Sequence, residues 1–330
     1  MEMKTILNEL IDHRSLSKET AKEVLIALAS GKFNPSQMTA FMTVYMMRSI
    51  TVEELVGFRD AMLELCVPVK LDAPVMDVCG TGGDGKNTFN ISTLSSFVVA
   101  GAGQPVAKHG NYGVSSSCGS SNLLEYFGYA FTNDGDQLRQ TLERANICFM
   151  HAPLFHPAMK NVAPIRKELG VKTFFNMLGP MVNPAFPKRQ LVGVFNLELA
   201  RKYAYLYEDS GKDFVILHSL DGYDEISLTS PFKFFFNGGE RMVAPEDLNF
   251  PRLDPLSLDG GDSVEAAARI FREVLEGRGT EAQQAAVIAN AGMALFAADQ
   301  QGGLPSAMDK AKEALQSGKA LTSFKKFLGQ

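Results

Sequence analysis

Val75-Met76-Asp77-Val78-Cys79-Gly80-Thr81-Gly82-Gly83-Asp84-Gly85-Lys86-Asn87-Thr88 opens apolar, breaks into glycines, and is followed by Asn90-Ile91-Ser92-Thr93 and an apolar stretch over 94–100. The spacing predicts a strand, a turn whose glycines leave backbone N–H groups open to close approach, and a helix start. Downstream, strand-like segments at 75–79, 105–107, 147–150, 191–195 and 214–218 alternate with helical stretches such as 94–102, 137–145 and 199–208. That alternation predicts an α/β fold with a mostly parallel central sheet flanked by helices. A hairpin is expected at Asn237-Gly238-Gly239. From Ser263 the chain reads as helical, with Val264, Ala267, Ala268 and Phe271 on one stripe and an Ala-rich segment at 281–298.

Upstream the pattern differs. Ser17 can cap a helix carrying Ala21, Val24, Leu25 and Leu28 that ends at Gly31, and Asn34-Pro35 starts another with Met38, Phe41, Met42, Tyr45 and Met46 on one stripe. Thr51-Val52-Glu53-Glu54 supplies a capping box for a third. The methionine-rich stripe reads as helix packing in preference to a ligand surface. Residues 1–70 are therefore expected as a small N-terminal helical domain and 71–330 as a larger α/β domain.

The 330 residues are 45% hydrophobic and 21% charged, enough for one large or two ordinary domains. A net charge of -5 argues against a nucleic-acid partner. The N-terminus mixes charges, and nowhere do about 18 apolar residues run together, so neither export nor a membrane partner is expected. Cys66, Cys79, Cys118 and Cys148 are far apart, which suits reduced thiols in the cytoplasm better than a zinc ribbon or a disulfide scaffold.

The glycine loop matches two familiar phosphate motifs badly. The dinucleotide fingerprint wants an acidic residue about 20 positions on, which is missing, and the P-loop wants a hydroxyl where Asn87 stands. No Asp or Glu occurs between Asp84 and Glu125, while Lys86, Lys108, His109 and many hydroxyls do. The glycine loop, the junction Lys108-His109-Gly110-Asn111 and the run Ser115-Ser116-Ser117-Cys118-Gly119-Ser120 make three turns suited to an anion. Singly, Asn90 and Ser92 also read as ordinary N-caps and His109 as a structural histidine.

Asp221-Gly222-Tyr223-Asp224-Glu225 follows the strand at 214–218, at the sheet edge where ligands sit. It reads either as a solvated turn or as hard oxygen ligands for Mg²⁺. Both carboxylates reach one ion only from a turn, because a strand points neighbours to opposite faces. In the proline-punctuated stretch 153–169, Arg166 reads as a bidentate grip for a planar carboxylate or as a surface ion-pair partner. Gly179-Pro180-Met181-Val182-Asn183-Pro184 reads as a rigid loop or hinge.

Taken in order, these residues resemble the anthranilate phosphoribosyltransferase family over nearly the whole chain. The resemblance rests on residues 80–85, 90–93, 108–111 with Ser115-Ser116, 156–169, 175–184 and 221–227. It implies a nucleoside phosphorylase/phosphoribosyltransferase-like architecture, with a segment near 165–185 joining the helical domain, and a homodimer. It implies transfer of the phosphoribosyl group of 5-phosphoribosyl 1-pyrophosphate (PRPP) to the amine of anthranilate in tryptophan biosynthesis. Carried over by position, Gly80, Gly83, Asp84, Thr88, Asn90, Ile91, Ser92, Thr93, Lys108, His109, Gly110, Asn111, Tyr112, Gly113, Val114, Ser115, Ser116 and Ser120 would surround PRPP. Gly80, Asn111 and Arg166 would contact anthranilate, and Ser92, Asp224 and Glu225 would serve two Mg²⁺ ions. No essential general base is nominated. The chain departs from the family at Tyr112-Gly113, where Arg-Ala is frequent, at Ser117-Cys118, where Lys-Ser is common, and at Ser121-Asn122, where Ala-Asp is. Two cations are thereby missing beside a highly anionic ligand. The alternatives are a pyrimidine-nucleoside phosphorylase-like enzyme, which has no use for the Asp224-Glu225 pair, and a non-catalytic nucleic-acid-binding paralogue, which would want a basic surface.

Overall fold

The computed structural model describes residues 2–113 and 116–330. Val114 and Ser115, expected beside the phosphates, lie outside the described residues. The chain divides into two compact units, Met1–Val69 with Ala152–Pro184, and Lys70–His151 with Ala185–Gln330.

The first unit is helical. Its helices Lys18–Ala29, Pro35–Met47 and Val52–Glu64 start at Ser17, Asn34 and Thr51, whose side chains accept from the N–H groups of Thr20, Gln37 and Glu54. Each satisfies an amide that the first turn leaves open. Met38, Phe41, Met42 and Tyr45 are buried as a stripe, but Met46 is 43% exposed. At about 100° per residue, position 46 falls nearly a quarter-turn off the centre of that stripe. Phe174, from the returning segment, stacks on Phe58 at 4.5 Å and meets Phe41 and Tyr45 edge-on. Buried Glu54 ties the unit together, accepting from the Leu16 N–H, the Tyr45 hydroxyl and Arg48.

The second unit holds a seven-stranded sheet: β1 (Met76–Gly80), β2 (Val106–Gly110), β3 (Ile147–His151), β4 (Arg189–Gly193), β5 (Asp213–Ser219), β6 (Phe232–Phe236) and β7 (Gly239–Val243). The order is β3-β2-β1-β4-β5-β6-β7, parallel through β5 and antiparallel for the last two. The β6–β7 turn falls at the expected Asn237-Gly238. Helix Ile91–Gly101 packs on β1, β2 and β3, and helix Glu281–Ala298 covers β4 and β5. Both are buried over most of their length, as suits helices this rich in small and apolar residues.

Two strands differ from expectation in a way that bears on the site. β2 runs on to Gly110, so Lys108 and His109 lie in the strand and not in the loop after it. β4 ends at Gly193, two residues before the expected 195, because Gly193 pairs with Gly80 at the last rung of the ladder.

Candidate active site

The chain leaves β1 for β2 and β3 on one side, then returns to place β4 on the other. In an open parallel sheet the crevice outside the carboxyl ends at this reversal is the natural ligand site. Gly80 and Gly193 form its floor, and the acidic segment after β5 lies over them. Residues 221–225 form a turn and bends, not a strand, so the constraint that separates neighbouring side chains does not apply.

Asp224 Oδ2 accepts from the Gly82 N–H at 2.6 Å and from the Thr81 hydroxyl at 3.5 Å. The Asp224 N–H donates to Asp84 Oδ2 at 3.4 Å. A Cβ on Gly80 would stand 2.5 Å from Asp224 Oδ2, and one on Gly193 would overlap the Asp224 carbonyl oxygen. Glu225 Oε1 accepts from the Ser92 N–H at 2.9 Å, and Oε2 accepts from the Thr88 hydroxyl at 3.4 Å. Ser92 is the second residue of helix Ile91–Gly101, so this carboxylate covers an open amide at the positive end of the helix.

Asn90 stands at the N-cap position but does not cap. Its Nδ2 donates to the Cys118 carbonyl at 2.9 Å, and its buried Oδ1 has no hydrogen-bond partner among the described residues. The ordinary N-cap role weighed for Asn90 therefore does not describe it. Ile91 and Thr93 are buried in the first helical turn.

Burial, then Asp84, then Glu225 push the Asp224 carboxyl well above the usual range. Burial and Asp84 raise Glu225 to about 7, although Ser92 and Lys108 oppose the rise. Carboxylates crowded in this way favour a nearby cation. The donors are all oxygen, which fits Mg²⁺. Among the described residues no three acidic, histidine or cysteine side chains converge tightly enough to hold an ion alone, so Mg²⁺ there would draw further ligands from water and a substrate's phosphates.

The loops around this turn are tied to one another. Gly82, Gly83 and Gly85 take positive φ of 67°, 74° and 78°, where a side chain is disfavoured. Asp84 Oδ1 accepts from the Lys86 N–H at 2.9 Å. Asn87, the residue that spoils the P-loop match, is a clasp: it donates to the Gly261 carbonyl at 2.7 Å and accepts from the Ser117 hydroxyl at 3.2 Å. In the serine-rich loop, the N–H groups of Gly113 and Gly119 both donate to Asn122 Oδ1, at 2.9 and 3.0 Å. The Ser120 hydroxyl donates to the Asn111 carbonyl and the Ser116 hydroxyl to that of Cys118. Tyr112 sets its ring edge-on to His151 at 4.9 Å.

Lys108 is placed differently from a loop cation. Its side chain is buried and Nζ donates to the Val78 carbonyl at 2.6 Å, under the crevice floor. Burial lowers its pKa, while Asp77, Cys79 and Glu225 pull it back up. Buried His109 donates its backbone N–H to Asp77 Oδ1 at 3.2 Å. Arg166 belongs to the helical unit, on helix Ala163–Leu169, with its guanidinium 5.1 Å from the Phe175 ring and 3.4 Å from Asn176 Oδ1. Burial lowers its pKa. Gly80 and Asn111 belong to the α/β unit.

Three residues of this arrangement were missed from sequence. Gly193 signals itself only as a glycine inside an apolar strand, a mark of close backbone approach. Asp77 is a fully buried acid in an apolar strand. Asn290, on helix Glu281–Ala298, accepts from the Ile226 N–H and donates to the Ile226 carbonyl, both at 2.9 Å, clamping the residue after Glu225.

Two family models match the chain: the glycosyl transferase family α/β domain over residues 72–321 and the helical bundle domain of the same family over residues 4–66. An anthranilate phosphoribosyltransferase of Flavobacterium johnsoniae is 60% identical over 98% of both chains. One of Bacteroides fragilis is 53% identical over 99% of both. Among solved structures, the Thermus thermophilus anthranilate phosphoribosyltransferase superposes with a TM-score of 0.91 at 34% identity, covering 98% of each chain. The Saccharomyces cerevisiae enzyme in complex with PRPP and Mg superposes with a TM-score of 0.91 at 25% identity, covering 99% of this chain and 97% of that one.

Proposed function

The chain belongs to the anthranilate phosphoribosyltransferase family, and we propose that the crevice at the ends of β1 and β4 is where its reaction runs. The enzyme transfers the phosphoribosyl group of PRPP to the amine of anthranilate, giving N-(5-phosphoribosyl)anthranilate and pyrophosphate, a step of tryptophan biosynthesis. The relatives lend no support to the phosphorylase or nucleic-acid-binding alternatives.

In this reading Gly80, Gly83, Asp84, Thr88, Asn90, the first helical turn at 91–93, Lys108 and His109 at the end of β2, and the residues that follow through Ser116 together with Ser120 hold PRPP. Gly80, Asn111 and Arg166 serve anthranilate, Arg166 by gripping its carboxylate. Ser92, Asp224 and Glu225 serve two Mg²⁺ ions, which when bound would offset the charge of the departing pyrophosphate. The aromatic amine carries its own lone pair to the sugar carbon, so the residues act by orienting the two substrates and by stabilising the leaving group. The functional division is a helical domain of 1–70, joined by the segment near 165–185, and an α/β domain of 71–330. A homodimer in the cytoplasm completes the reading. Among the described residues no helix is long and apolar enough to cross a membrane.

The observation that carries the site assignment is the acidic turn seated on two glycines with Glu225 on the Ser92 amide. The test is anthranilate fluorescence followed with PRPP. Loss of fluorescence with pyrophosphate release, abolished by chelator and restored by Mg²⁺, is expected. Turnover that survives in both Asp224→Ala and Glu225→Ala would sink the metal assignment.

A further inference from the structure

The loops assigned to PRPP must hold a highly charged pyrophosphate, yet between residues 80 and 122 the chain has only two basic residues besides His109, Lys86 and Lys108. The acidic turn 221–225 adds none. Lys108 is committed below the floor, its ammonium on the Val78 carbonyl. Lys86 is differently placed. It is half-buried, and among the described residues no carboxylate pairs with it. Its ammonium rests 4.5 Å above the centre of the Tyr223 ring. Its stem passes beside Gly222, where a Cβ would stand 3.9 Å from Lys86 Cε in ordinary contact.

A ring face holds an ammonium far less firmly than an anionic oxygen does. Lys86 is therefore a cation kept at the rim of the acidic turn in a contact it can give up. It also borders the place where charge is missing. Asn87, its neighbour, takes the hydroxyl of Ser117, in the serine-rich loop.

We propose that Lys86 grips the pyrophosphate of PRPP and supplies the cation that positions 112 and 117 lack in this chain. The inference rests on the crevice being the PRPP site. It makes Lys86 a binding residue, with Tyr223 as its resting place.

The test compares the parent with Lys86→Met, which keeps the apolar stem on Tyr223, with Lys86→Arg, and with Lys202→Ala, which removes the same charge from the surface pair with Glu198. Two quantities are read in Mg²⁺ buffer: the KM for PRPP and the calorimetric Kd for inorganic pyrophosphate. Lys86→Met is expected to raise both about tenfold while leaving the KM for anthranilate unchanged, with Lys86→Arg recovering most of the loss and Lys202→Ala matching the parent. Unchanged values in Lys86→Met, or an equal loss in Lys202→Ala, would overturn the proposal. Absence of turnover in the parent would instead strike the proposed reaction, and the pyrophosphate Kd would still decide the role of Lys86.

Discussion

Gly193 lies directly beneath the carbonyl of Asp224, so closely that no Cβ fits between them. The acidic turn and the end of β4 are thus one packed object, and the position of the carboxylates depends on a hydrogen atom at residue 193. Gly193→Ala should push the turn outward by about the width of a methyl group. Displacements near 1 Å cost on the order of 10²-fold in rate. A folded variant with unaltered far-ultraviolet circular dichroism and a kcat lower by about that factor is the expected outcome. Parental kcat would show that the turn has slack.

Asp224 is a buried carboxyl whose ionised form its surroundings oppose, with Asp84 and Glu225 beside it. An ionised carboxyl held there costs the folded protein stability. Asp224→Asn should therefore melt no lower than the parent in metal-free buffer at pH 8 and gain less from added Mg²⁺. Its turnover should fall by at least about 10²-fold. Calorimetric melting with and without Mg²⁺ reads both effects.

His156 is buried in the helical unit, with Nε2 at 3.0 Å from the Val182 carbonyl oxygen, and burial pushes its pKa down to about 4. The unfolded chain takes up a proton near pH 6.5, where the folded protein refuses it. Stability from this group is complete above the unfolded value and is lost as the pH falls toward about 4, by roughly 3 kcal/mol at full extent. Denaturant unfolding followed from pH 7 to pH 4.5 should show that decline, and His156→Gln should flatten it.

Arg166 is held between the Phe175 ring and Asn176, a seating that fixes the plane of its guanidinium. Arg166→Lys keeps the charge and loses the fork. It should raise the KM for anthranilate about tenfold with little change in the KM for PRPP. An equal rise in both would place Arg166 outside the anthranilate site.

Much of this was legible in the chain because the deciding signals are local. Ser17, Asn34 and Thr51 announce helix starts within three residues of themselves, and the strand at 147–150 is bounded by its own apolar run. The Asp224-Glu225 turn was readable from the rule that a strand would have parted the two side chains. What escaped were relations across long stretches of sequence. Gly193 matters because of Asp224, Asn290 because of Ile226, and Asp77 because of His109. Lys108 was visible as a charge, but its burial follows from β2 running past it, which its own residue type argues against. Met46 was grouped with a stripe it flanks because a list of apolar spacings has no edge.

The seat of Glu225 on the Ser92 amide makes the resting site self-occupied. A bare helix start would admit any passing phosphate, whereas here a stray anion must first evict a carboxylate from the same chain.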